Sequence, residues 1–180
     1  MGPRRRHRTL VLSLGAILGL VQAYVLPVRR NRGPEGRWWE PLRQRASRLL
    51  GRRFDEGAGP RSITREEYAG TLPVSVPVAE ELLYQRGFVR NPLARLKQRD
   101  GTPESGSWVA RESPLATRQL HCMLFEVDGG TAVYAHEEFS SVNPLYAPAH
   151  FAGIDQRNRA GVERARDRLP LEAPPGERSD

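Results

Sequence analysis

"HCMLFEVDGGTAVYAHEE", His121 to Glu138, is the stretch that decides the fold. Apolar and polar residues alternate on both sides of Gly129-Gly130, the pattern of two strands folded back on each other. A two-residue loop at Gly129-Gly130 pairs Asp128 with Thr131. His121 then faces Glu138, Met123 faces His136 and Phe125 faces Tyr134. The two-residue period of a strand puts these six side chains on one face. Leu120, Cys122, Leu124, Val133 and Ala135 take the other face, which is apolar and is expected to lie against helices. A one-residue slip would turn Leu124 outward, and burial at about 1.5–3 kcal/mol per large apolar side chain opposes it.

On this register His121, His136 and Glu138 gather on the polar face, with directly opposed Cβ atoms about 5 Å apart. Two imidazoles and a carboxylate are a sufficient ligand set for zinc or ferrous iron, leaving positions for water and substrate. His150 could join them through the following loop. Two alternatives stay open. A three-residue loop would set His121 against Glu137 and disperse the cluster. In the plainer alternative, the imidazoles sit at a strand end and hydrogen-bond Glu138 and Tyr134 beside water, with no metal or other cofactor. The chain has no HExxH, no paired CxxC, no glycine-rich phosphate loop and no nucleophile elbow, so whether it is an enzyme is left undecided. Cys122 is the single cysteine, which excludes an intrachain disulfide and reads as a small core residue.

Outward from the hairpin, "EEYAGTLPV" reads as a short strand ended at Pro73. "SVPVAEELLYQRG" is a helix with Ser75 as cap, Pro77 in its first turn, Gly87 as its stop and a buried stripe of Val78, Leu82 and Leu83. "LARLKQ" and "SWVAR" read as a pair of strands around "RDGTPESG". After the hairpin, "IDQRNRAGVERARDRL" repeats Val162, Ala165 and Leu169 at helical spacing and stops at Pro170. Strand, helix, four strands, helix is an α+β order. It predicts an antiparallel sheet of four or five strands with two helices on one face. The domain should span residues 63–169, with a disordered tail over 170–180.

The first third of the chain has a different character. The whole chain carries a net charge of +7, yet residues 1–28 hold four arginines and no acid. Residues 29–53 add nine arginines against Glu35 and Glu40, which leaves residues 54–180 net acidic. The basic charge is therefore local, which argues against nucleic acid as a partner of the domain. Behind a basic tail at 1–8, residues 9–28 form twenty consecutive uncharged positions, which as a helix would span about 30 Å, the thickness of a bilayer's hydrocarbon core. A single-pass anchor is expected, with a cleaved signal ending at Ala23 and a secreted product as the alternative. The arginines flank both ends, and their greater number downstream leans toward a cytoplasmic domain.

Residues 29–62 read as a basic juxtamembrane segment and linker. Within it a helix from Pro41 would put Arg43, Arg45, Arg48 and Arg52 mostly opposite Leu42, Ala46, Leu49 and Leu50, behind Trp38 and Trp39. Trp38, Trp39 and these four arginines suit a membrane surface with anionic headgroups. The function this supports is a membrane-anchored α+β module that binds a protein or small-molecule partner. The alternative is a metal-dependent enzyme using His121, His136 and Glu138. The full chain should sediment with membranes and resist a carbonate wash. Recovery in the soluble fraction, or a mature N-terminus at Tyr24, would remove the anchor.

Overall fold

The computed structural model describes residues 33–45, 61–91, 94, 96–113 and 115–172. The apolar run 9–28, Arg48, Arg52 and the tail beyond residue 172 lie outside them, as does the side chain of Trp39. Among the described residues no helix is long and apolar enough to cross a membrane.

The strands are β1 (Arg61–Ser62), β2 (Tyr68–Leu72), β3 (Val89–Arg90), β4 (Lys97–Arg99), β5 (Thr102–Pro103), β6 (Gly106–Ala110), β7 (Arg118–Val127) and β8 (Gly130–Phe139). The α-helices are α1 (Val76–Gln85), α2 (Ala147–Phe151) and α3 (Asn158–Arg168). A five-stranded antiparallel sheet runs in the order β2-β8-β7-β6-β3, and β1-β4-β5 form a second, smaller sheet. The α+β class and the antiparallel main sheet are as expected from the sequence. The small sheet is mixed, because β1 pairs parallel with β4.

"LARLKQ" and "SWVAR" do not pair with each other. Lys97–Arg99 turns back at once onto Thr102–Pro103, with Asp100 and Gly101 both at positive φ. The second segment, as β6, is left free to join β7 and β3. A tight Asp-Gly turn uses up its two flanks locally, so the longer loop hairpin has no strand left to form.

The β7–β8 register also differs from the expected one by two residues. Val127 pairs with Gly130, so Asp128-Gly129 makes the turn and His121 stands directly opposite His136. Gly129 takes φ +82°, while a Cβ on Gly130 would meet the Leu72 carbonyl oxygen at 2.2 Å. Gly130 is therefore needed flat against β2 and is unavailable to the turn. A shift of two preserves the faces, since side chains alternate with period two.

Leu120, Cys122, Leu124, Val133 and Ala135 are fully buried with Ala79 and Leu83 of α1, Val162 and Ala165 of α3, and Trp108. Leu83 is in the buried stripe of α1, but Val78 is 53% exposed. The stripe is Val76, Ala79, Glu80 and Leu83, at helical spacing of three, one and three. Glu80 turns inward because Arg90 Nη2 donates to it at 2.6 Å. The opposite face holds a smaller cluster of Met123, Phe125 and Ala132 with Ile63, Tyr68 and Tyr134. Over it lies the small sheet, from which Arg99 stacks on the Phe125 ring at 5.9 Å.

Beyond Pro170, Leu171 and Glu172 do not leave the fold. Glu172 exchanges two backbone hydrogen bonds with Thr71, at 2.9 and 3.2 Å. At the other end, residues 33–45 pack on the domain, with a 3-10 turn at Pro34–Trp39 continuing as helix over 40–45.

α3 crosses behind the metal-candidate strand at very close range. A Cβ on Gly161 would fall 2.2 Å from the His136 Cα and 2.4 Å from the Glu137 nitrogen. Gly161→Ala should destabilise the fold by about 3 kcal/mol, at the upper end of overpacking costs, because backbone rather than a rotamer must yield. Urea midpoints at constant slope measure this. A change under about 0.5 kcal/mol would mean that α3 can slide outward freely.

Candidate metal centre

β7 and β8 bring His121 and His136 face to face, with ring centroids 4.9 Å apart and planes at 88°. His121 Nδ1 lies 3.2 Å from His136 Nε2. Glu138, two residues along β8 on the same face, sets Oε1 3.3 Å from His121 Nδ1 and Oε2 3.3 Å from His136 Nε2. All three residues are buried, and one ligand atom from each lies within 4.8 Å of the others. The expected trio is thus assembled, although His121 faces His136 rather than Glu138.

Each member is held from behind by a residue of another segment. The short 3-10 turn Arg65–Glu67 opens with a capping box in which Thr64 N–H donates to Glu67 Oε2 at 2.7 Å. This fixes the carboxylate so that Oε1 lies 2.8 Å from His136 Nδ1 and accepts from Gln156 Nε2 at 3.0 Å. Holding Nδ1 against Glu67 in this way aims Nε2 of His136 at the trio. Ser107 Oγ lies 2.7 Å from His121 Nε2, which leaves Nδ1 for the trio in the same way. Gln119 Nε2 donates to Glu138 Oε1 at 2.8 Å. A histidine whose other nitrogen is tied to a carboxylate or hydroxyl is the usual orientation device for metal ligands.

The electrostatics are those of a packed ionic group. Burial pulls His121 below its ordinary value. Burial also acts against a charged His136, but hydrogen bonds to Glu138 and Glu67 outweigh it and hold this imidazole above its ordinary value. Burial would raise Glu138, yet His150, His121 and His136 keep it well below the usual carboxylate range. The Glu138 carboxylate is therefore anionic in the folded protein.

His150 arrives on α2, a five-residue helix in the loop after β8, and its Nδ1 is 3.3 Å from Glu138 Oε2. That nitrogen is buried without a hydrogen-bond partner. A cavity of about 70 Å³ opens beside His121, Glu138 and His150, walled also by Lys97, Arg61 and Gln156. Glu137 points the other way, as expected, and binds Arg118 and Arg164 at 2.6 Å each. Cys122 is on the apolar face, where burial pushes its thiol up to about 12.

Of the residues expected at a membrane surface, Trp38 and Arg45 are exposed. Arg43 is not. It is 6% exposed, paired with Glu40 and, at 3.0 Å, with Glu104. Its partners are scattered along the chain, and helical spacing alone carries no sign of them. Glu67 had a signal in the sequence, the Thr64-x-x-Glu67 capping box. Ser107, Gln119, Lys97 and Gln156 had none.

No protein family, curated protein or solved structure matches the chain.

Glu67→Ala removes the acceptor from a buried imidazole N–H and undoes the capping box. Stability should fall by about 2–4 kcal/mol, adding an unsatisfied donor at about 1–3 to a lost cap near 1. Chemical denaturation checks it, and a loss below about 1 kcal/mol would mean that water replaces the carboxylate.

Proposed function

We propose that this chain is a metal-binding α+β protein, with His121, His136 and Glu138 holding one divalent cation of the zinc or ferrous class. The observation that carries the reading is a set of three long contacts: 3.2 Å between the two imidazole nitrogens, and 3.3 Å from each of them to a different oxygen of Glu138. Pairwise hydrogen bonds to charged groups favour about 2.7–2.9 Å, and all three contacts are longer than that. Donors at 2.0–2.1 Å from a tetrahedral zinc stand about 3.4 Å apart, close to the nitrogen–nitrogen distance and to the distance from each nitrogen to its nearer Glu138 oxygen. Nitrogen and carboxylate donors without sulfur suit zinc or iron(II). Three protein ligands beside a cavity leave a coordination position for water or substrate, which is the pattern of catalytic rather than structural sites. Such an ion supplies Lewis-acid activation of a bound oxygen, so a metal-dependent hydrolytic or oxygen-using reaction is the enzyme class proposed.

A second reading is a metal-free polar core, favoured by the partners that Ser107, Glu67 and Gln119 already give the three residues. Anchoring by residues 9–28, with Trp38, Arg45, Arg48 and Arg52 near anionic lipid, is part of the proposal and rests on the sequence alone.

Metal analysis of the purified full chain should find about one zinc or iron per protein. His121→Ala and His136→Ala should each abolish it. His150→Ala should retain it, because His150 approaches Glu138 alone and is not part of the group of three. A wild-type chain that takes up neither metal after dialysis against each would leave the polar core as the answer.

A further inference from the structure

The cavity beside the trio has a cationic wall that the metal reading does not use. Lys97, on β4, is 7% exposed and lines this cavity. Its backbone N–H is spent on Glu104 Oε1 at 2.9 Å. No hydrogen bond or ion pair within 4 Å engages its ammonium group among the described residues. The side chain is largely withdrawn from water while its ammonium has no acceptor of its own, and an anion in the cavity would supply one. Arg61, one strand over, lines the same cavity, and its Nη1 would sit 3.0 Å from a Cβ on Gly153. It too has no carboxylate within ion-pair distance among the described residues. The third feature is His150, whose Nδ1 is buried without a hydrogen-bond partner on the same wall. The carboxylates that reach Lys97 electrostatically are Glu138, Glu67 and Glu104, each already committed to other partners. Burial nonetheless holds Lys97 below its ordinary value.

We infer that the cavity binds a small oxyanion, a carboxylate or phosphate group, with one oxygen toward the metal position and its charge met by Lys97 and Arg61. The inference rests on the metal reading and adds to it the class of substrate. The partly open space beside the trio, about 70 Å³, takes a carboxylate or phosphate group, and the remainder of a larger ligand would extend past exposed Arg61. A cation opposite a metal is a common way to orient an anionic substrate, since the ion holds one oxygen and the ammonium fixes the other.

The test uses the full chain loaded with cobalt(II), whose visible bands report coordination. Inorganic phosphate and acetate are titrated separately, to tell phosphate from carboxylate. The wild type should show a saturable band shift with at least one of them. Lys97→Met should take up cobalt with the same stoichiometry but bind that anion at least ten-fold more weakly. Lys97→Arg, which keeps the charge, should recover most of the loss. Cobalt uptake with no response to either anion, or equal affinity in Lys97→Met, overturns the oxyanion site and leaves the metal reading standing. Absence of cobalt from the wild type overturns both, and is seen before any anion is added.

Discussion

Ten consecutive pairs between β7 and β8 place two long strands at the middle of the main sheet, where both of their faces are covered. One face meets this with Leu, Val, Ala and Cys side chains against α1 and α3. The other, near His121, presents polar groups to the interior, and burying those without partners would cost several kcal/mol. Ser107 comes from β6, Glu67 from the turn before β2, Gln119 from β7 and Gln156 from the loop before α3. The segments laid over this face are thus tied to one polar cluster, and their positions are not independent of each other.

The same rule governs the first described segment. Arg43 bridges Glu40 and Glu104, while Arg90 binds Glu80 and approaches Glu40 at 3.8 Å. These are five buried charges in one connected group, and removing a single partner from such a group typically costs 3–5 kcal/mol. Glu104 also accepts from the backbone of Lys97, so the helix turn at 40–45 is tied to the strand that carries the cavity lysine. A segment whose composition suggests a lipid surface is therefore, at Arg43, part of the protein interior.

What the sequence revealed follows from which interactions are local. Strict alternation in β7 and β8 assigned their faces correctly, and with them the company of His121, His136 and Glu138. The α3 stripe of Val162 and Ala165 was equally readable, because a helix repeats its buried positions within one segment. The register was not readable, because it depends on Leu72 crowding Gly130 from another strand. Glu80 was hidden for the same reason, since its burial depends on Arg90. The small sheet rests on two-residue pairings that leave no periodic trace.

The main sheet ends at β2 on one side and at β3, two residues long, on the other. At β2 the returning chain sets the Glu172 carbonyl 2.6 Å from where a Gly70 side chain would begin, with its backbone joined to Thr71. At Thr71, the outward backbone groups that a foreign strand would need are thus occupied by the protein's own last described residues. Open edges are where sheets recruit one another into aggregates, and natural proteins shorten or cover them. A chain shortened before Leu171 would therefore lose more than a few contacts. It would expose an adhesive margin along β2, and its first symptom would be concentration-dependent association rather than unfolding.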